Sequence, residues 1–399
     1  IEETKNMKKI ILPLILAALF MWTAAASAQT AQEMTKDCTL SSIGKKTQNN
    51  MTDGRYTSYW SSSTNRNAYL DIEAPQGQKM GSIYIQFFEN AVPFDVQTPD
   101  EAGNWQTIST YETGFLAQYV PLDAGYEKIR IRPKEAQGRL FIIELHVFAE
   151  GDAPDWVQKW EPTLEKADLL ALAAHPDDEI LFLGGTIPYY AGEKKMKVQV
   201  AYLVPTTSFR RLELLDGLWL CGVKNYPIIG HFPDKYQSHL SEMYEQKGWS
   251  RQAVVRYVVG VYRACRPDVV VTQDVNGEYG HGAHRAAADA AQAAVTLAAD
   301  PNYQHEKLEQ TEPWQISKLY LHLYDQNPIR MDWRQPLEAF GGKTAFDIAE
   351  EAFACHISQQ TTRYHVEDFG EYDNSKFGLA FTNVGLDEEK NDFFEHVGK

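Results

Sequence analysis

The spacing of apolar positions changes character once along this chain. From about Cys38 to Glu150 the apolar residues alternate with polar ones or come in short runs. Segments 68–73, 81–87, 128–132 and 141–148 each have the length and pattern of a strand. Turn-forming residues at 75–77, 100–103 and 123–125 separate them. Short strands at this spacing, with no stretch of helical period, predict an all-β sandwich over 37–150.

The stretch Gly-Asp-Ala-Pro-Asp at 151–155 has the composition of a linker. Beyond it, strand and helix patterns alternate. Strands are predicted over 169–174, 197–204, 268–272 and 318–323. Helices are predicted over 185–193, 210–222, 251–265 and 284–297, with Leu214, Leu215, Leu218 and Leu220 at helical spacing in the second. A last helix runs to about Gln359, and a loop-rich tail follows. This alternation predicts an α/β domain over 165–399, built on a parallel sheet with helices on both faces.

Composition adds limits. A chain of 399 residues with 44% hydrophobic and 23% charged residues fits a soluble globular protein of two domains. A formal net charge of -16 disfavours a nucleic-acid backbone or an anionic membrane surface as partner. Lys8 and Lys9 after Met7, the apolar run 10–22 and the small residues Ala26, Ser27 and Ala28 form the three-part pattern of a secretory signal peptide over 1–28. Export to the periplasm or the exterior is therefore expected. The run is short for a membrane span, and no later segment is long and apolar enough to be one. The four cysteines show neither metal-ligand nor disulfide-framework spacing, and Cys221 and Cys265 sit where buried thiols are expected.

The chemistry concentrates in two strings. Ala173-Ala-His-Pro-Asp-Asp-Glu179 follows the first predicted strand of the α/β region, and ligands of open α/β sheets bind beyond the carboxyl ends of strands. His175 and Asp178 are near enough in one turn to share a cation, and Asp177 between them is free to point at a water. Alone, the string also reads as a surface turn with a capped helix. The second string, Asn276-Gly-Glu-Tyr-Gly-His-Gly-Ala-His284, again follows a strand. If the two strands are neighbours, His284 completes a set of two histidines and one carboxylate. Three protein ligands with one open position is the arrangement of catalytic zinc. Iron(II) suits the same donors.

These motifs, with Arg210-Arg-Leu-Glu213 and Leu220-Cys-Gly-Val223, resemble those of the LmbE-like (PIG-L) family of N-acetylglucosaminyl deacetylases. The resemblance covers the chain from about Leu169 onward. It implies a Rossmann-like fold, one Zn2+ per chain held by His175, Asp178 and His284, and an N-acetylated sugar or glycan as substrate. By position, Asp177 would be the general base. His281 would stabilise the oxyanion or protonate the leaving amine, and Arg210 would contact substrate. Gly282 and Ala283 stand where the family often has Pro-Asp, so a carboxylate that orients a histidine is missing there, with Asp274 or Glu278 as substitutes. The function expected is metal-dependent N-deacetylation. The alternatives are a glycan-binding protein with an inert metal site and a metalloamidase acting on a non-sugar amide.

The amino-terminal half resembles the discoidin-like, galactose-binding-type sandwich through Thr52-Asp-Gly54, Thr57-Ser-Tyr-Trp60 and the closing strand 141–148. That likeness implies carbohydrate binding at loop tips, with Trp60, Arg66, Trp105 and Arg130 as candidates. A structural module with a buried tryptophan is the other reading. His231, His239, His322 and His356 read as capping or packing residues, His356 also as a pocket wall, and 387–390 as a solvated turn.

Overall fold

The computed structural model describes residues 30–43, 48–62, 68–135, 138–303, 311–360 and 364–398. The signal-peptide segment 1–28 and Arg66 lie outside the described residues.

Nine strands form the first half: β1 Thr39–Ser42, β2 Trp60–Ser61, β3 Leu70–Glu73, β4 Met80–Phe87, β5 Phe94–Pro99, β6 Trp105–Tyr111, β7 Ala117–Tyr126, β8 Lys128–Pro133 and β9 Phe141–Ala149. They build two antiparallel sheets, ordered β1-β3-β8-β5-β6 and β2-β9-β4-β7. Ile83 and Ile85 of β4 and Leu145 and Val147 of β9 point between the sheets, into a core with Trp60, Leu70 and Ile131. The turn expected at 123–125 lies inside β7, because that strand runs on to Tyr126 and pairs it with Met80.

The second half contains β10 Leu169–Ala173, α1 Asp178–Leu181, β11 Val198–Tyr202, α2 Ser208–Leu220, β12 Ile228–Ile229, α3 Leu240–Tyr244, α4 Arg251–Cys265, β13 Val269–Thr272, α5 Gly282–Ala299, β14 Lys318–His322, β15 Pro328–Arg330, α6 Ala345–Ala354 and β16 Lys376–Thr382. The sheet order is β12-β11-β10-β13-β14-β16-β15. Strands β10, β11, β13 and β14 are buried along their whole length, which is why they read as unbroken apolar runs. Their residues divide by parity between two cores. Leu169, Ala171, Val200 and Val271 face α2 and α6, while Leu170, Leu172, Ala201 and Val270 face α4 and α5. Ser250 caps α4 by accepting from Ala253 N, and Thr344 with Asp347 forms a capping box on α6.

Three expectations change. The sheet is parallel only from β12 to β14, since β16 enters antiparallel beside β14 and covers what would be an open edge. The helix expected at 185–193 is present, but over Pro188–Glu193 it has π rather than α geometry. The turn 387–390 is not wholly solvated: Asp387 is buried in an ion pair with Lys318 and accepts from Tyr320 Oη at 2.7 Å. A lysine on a fully buried strand needs such a partner.

The outer face of β4 and β9 carries Tyr84, Gln86, Glu144, His146 and Phe148, in register across the pair. It packs against the α/β half. Phe115 stacks on Tyr226 with ring centroids 4.3 Å apart, and Leu116 N donates to Tyr226 Oη at 3.0 Å. Asp216 of α2 accepts from Tyr56 Oη at 2.7 Å and from Gln158 Nε2 at 2.6 Å.

Burial pushes the Asp216 carboxyl up to about 6, against the lowering effect of those two hydrogen bonds. A carboxyl raised in the folded state gives full stability below its ordinary value and loses it as pH rises through the folded value. Between pH 4 and pH 7 the unfolding free energy of the wild type should therefore fall relative to Asp216→Asn by about 1–2 kcal/mol, allowing for partial exposure. Denaturant titrations at a series of pH values measure this. A constant difference between the two proteins would remove Asp216 as the titrating group.

Candidate metal centre

Strands β10 and β13 are adjacent and parallel, with Leu169 opposite Val269 and Leu172 opposite Thr272. Their carboxyl ends therefore emerge side by side, and the two sequence strings meet there. His175 Nδ1 lies 3.1 Å from Asp178 Oδ2, and His284 Nε2 lies 3.3 Å from the same oxygen. One donor atom from each of the three residues falls within 4.8 Å of the others, and all three side chains are buried. Donors about 2.0–2.1 Å from a tetrahedral zinc ion stand roughly 3.3 Å apart. The donor set thus fits a single divalent ion. Burial alone would raise the Asp178 carboxyl, but His284 and His175 outweigh it and hold the group well below its ordinary range. It is an anion ready to bind a cation.

A second layer orients the ligands. Glu278, fully buried, faces His284 Nδ1 at 2.8 Å through Oε2 and His322 Nδ1 at 2.7 Å through Oε1. This places the His284 proton on Nδ1 and leaves the Nε2 lone pair for a metal. Burial would raise the Glu278 carboxyl, but the two imidazoles bring it down to about 2. Of the two substitutes foreseen for the missing carboxylate, Glu278 does the orienting, and on His284 rather than His281. Asp274 turns instead to Asn276 N at 2.9 Å. His322, read from sequence as capping or packing, belongs to this layer. Glu278→Gln should weaken metal affinity about 10–100-fold, measured by competition with a chromophoric chelator. Unaltered affinity would mean that His284 needs no such partner.

The remaining expected residues also converge. Asp177 has φ +112, a backbone conformation that costs a non-glycine residue about 1–3 kcal/mol. Glu179 Oε2 accepts from Asp177 N at 2.9 Å and holds the turn. Arg210 Nη2 donates to Pro176 O at 2.7 Å and to Asp177 Oδ2 at 3.1 Å. Burial and the neighbouring Asp178 charge push the Asp177 carboxyl up to about 7, against the pull of Arg210. His281 caps α5 by accepting from Ala283 N at Nδ1, 3.1 Å, so its ring proton is on Nε2. Burial, with His175 and His284 nearby, pushes His281 down to about 3 and keeps it neutral. Arg211 turns away to Asn90 Oδ1 at 3.0 Å.

Sequence reading missed Asp234, whose Oδ1 lies 3.9 Å from the buried, unpartnered Nε2 of His175. It stands on a loop between β12 and α3 that carries no motif. Glu179 was quoted within its motif without a role. His356 is fully buried, with Nε2 3.6 Å from Glu179 Oε1.

The sandwich candidates fare differently. Trp60 is core, 1% exposed. The Arg130 guanidinium lies between the Tyr69 and Trp105 rings, at 3.6 and 3.9 Å, and is paired with Asp71 at 2.6 Å. Trp60 is thus removed as a loop-tip contact, while Arg130 and Trp105 are engaged with each other.

Comparison with known proteins follows from this geometry. Residues 170–295 match the PIG-L family model, described as GlcNAc-PI de-N-acetylase. Over 242 residues the chain is 32% identical to a 1D-myo-inositol 2-acetamido-2-deoxy-alpha-D-glucopyranoside deacetylase of Rhodococcus jostii, covering 48% of this chain and 82% of that protein. The same name belongs to a Streptomyces scabiei protein, 32% identical over 178 residues, which cover 38% of this chain and 54% of that one. Among solved structures, N,N'-diacetylchitobiose deacetylase from Pyrococcus horikoshii is similar at 21% identity and a TM-score of 0.38, over 48% of this chain and 71% of that chain. An F5/8 type C domain from Bacteroides fragilis is similar at 10% identity and a TM-score of 0.25, over 30% of this chain and 95% of that domain. An α/β sheet with a buried two-histidine, one-carboxylate cluster at its carboxyl edge is the class that fold and site define. Within that class, the chain belongs to the PIG-L family.

Proposed function

We propose that this protein is a metal-dependent hydrolase that removes the N-acetyl group from an N-acetylated sugar or glycan. The observation that carries the reading is the convergence of His175, Asp178 and His284 beside Asp177. Relatives named as deacetylases of an acetamido sugar support the amide as the bond cleaved. Zinc suits the donor set, one ion per chain, and iron(II) is compatible with it. When bound, such an ion polarises the amide carbonyl and acidifies water.

The chain's own residues divide the rest of the work. Asp177 takes a proton from the attacking water at its carboxylate, in the position set by Arg210 and Glu179. His281 donates Nε2–H to the developing oxyanion, because Nδ1 is already committed to Ala283 N. A neutral imidazole suits this donor role better than that of general acid. The proton held on Asp177 then passes to the amine nitrogen as the C–N bond breaks, giving acetate and a free amine. With Nη2 engaged by Asp177 and Pro176, Nη1 of Arg210 is the donor left for the substrate.

Export rests on the residues of the 1–28 segment, and no described helix is long and apolar enough to cross a membrane. The decisive experiment is a panel of N-acetylated amino sugars and glycans assayed for free amine, with and without a chelator. Amine release that stops on chelation and returns with zinc is the expected result. Glycan binding without any amine release would favour the inert-site reading instead.

A further inference from the structure

We propose that the cleft between the sandwich and α2 is a saccharide-binding subsite, which holds sugar units of an oligosaccharide whose N-acetyl group lies at the metal centre. This rests on the function proposed above. The cleft has a volume of about 540 Å³, within the range of small-molecule sites. Six stretches of the chain wall it: the loop around Tyr56, the outer faces of β4 and β9, the segment after β9, α2, and the turn at Ser358.

Trp156 supplies the platform. Its indole is 47% exposed, yet Tyr84, His146 and Phe148 brace it at ring-centroid distances of 5.9, 4.9 and 5.8 Å. A rigid, half-solvated aromatic ring is suited to the apolar face of a sugar, and such a ring loses little entropy on binding. Sugar hydroxyls also need side chains that both donate and accept. Glu144 and Asp216 line the cleft and accept from neutral donors, Glu144 from Arg55 N at 3.0 Å and Asp216 from Tyr56 Oη and Gln158 Nε2. Burial pushes both carboxyls up, Glu144 to about 7 and Asp216 to about 6. Two such carboxyls disfavour an anionic ligand and suit neutral hydroxyls.

An extended ligand fits better than a single ring. A second cavity of about 970 Å³ meets the first at Trp156, Gln158 and Asp216, so the indole stands between two recesses along the domain junction. Helix α2 links this groove to the chemistry. Arg210 reaches Asp177, while Phe209, Glu213 and Asp216 of the same helix line the cleft. Arg210 and Asp216 are about 9 Å apart along the axis, at roughly 1.5 Å per residue.

The test compares N-acetylglucosamine with its β-1,4-linked tetramer, using the full chain loaded with zinc. Trp156→Ala should lower kcat/KM for the tetramer at least ten-fold relative to the monosaccharide, and Glu144→Gln about three-fold. Equal losses on both substrates, or none, would overturn the subsite. Glu144→Gln keeps the side chain's shape and can still accept from Arg55 N, so it reads the cleft even if Trp156→Ala loosens the junction. If the wild type cleaves neither sugar, that result bears on the choice of substrate and, with the rest of the panel, on the deacetylase reading, not on the cleft. The cleft is then judged by calorimetric titration with the tetramer. Binding to wild type that Trp156→Ala abolishes supports it, and absence of binding to wild type rejects it.

Discussion

Asp177→Asn retains one metal ion per chain and loses about 10²–10⁴-fold in kcat, the contribution typical of a positioned general base. The substitution isolates proton transfer from everything else at the site. Asparagine has the same shape, and its amide oxygen can still accept from Arg210 Nη2, now 3.1 Å from Asp177 Oδ2. It also tolerates positive φ better than most residues, so the turn at φ +112 is kept. The backbone N–H that donates to Glu179 is unchanged. What disappears is a group able to take a proton from water. Metal content by elemental analysis and amine release under saturating substrate test the two halves separately. A variant as active as wild type would remove Asp177 from the mechanism.

Asp178→Ala has the opposite signature: the ion and the turnover vanish together. The lost carboxylate is the oxygen to which both ligand histidines converge, at 3.1 and 3.3 Å. It also accepts from His175 N at 2.8 Å, so that buried N–H loses its partner at a cost of about 1–3 kcal/mol. Thermal unfolding gives a reading independent of substrate. Zinc should raise the wild-type midpoint, since an ion that binds only the native state stabilises by mass action, and should leave the variant where it is. Stoichiometric zinc in Asp178→Ala would show that the ligand set has been misassigned.

The two variants also separate the readings of the protein. A binding protein with an inert site would lose metal in the second and show no kinetic effect in the first. Both outcomes depend on residues whose convergence the sequence could only imply. His175 and Asp178 are three apart in one turn, so their proximity is local. The partnership with His284 depends on β10 and β13 being neighbours. Glu278 was one of two carboxylates named as substitutes for the one missing between the histidines. Its choice over Asp274 came from the backbone, in which Asp274 folds back on Asn276. His322 and Asp234 gave no signal, since each arrives from a segment without a motif.

The elements themselves show the same division. Continuous apolar runs identify β10, β11, β13 and β14, and α4 falls on the predicted 251–265. The edge strand β15 and its inner neighbour β16 went unseen, because each is defined by the strand it pairs with rather than by its own pattern. On β4 and β9, Tyr84, Gln86, Glu144 and His146 alternate with apolar residues as a solvent-facing set does. The fold buries that face against α2 instead, where Tyr56 and Gln158 meet Asp216. Hydrophobic period and the two motifs are encoded over a few residues, so the chain alone determined an all-β half, an α/β half and the two short strings whose histidines and aspartate meet. Sheet order, domain docking and the orienting partners depend on contacts between residues far apart in sequence, and only the tertiary structure decided those.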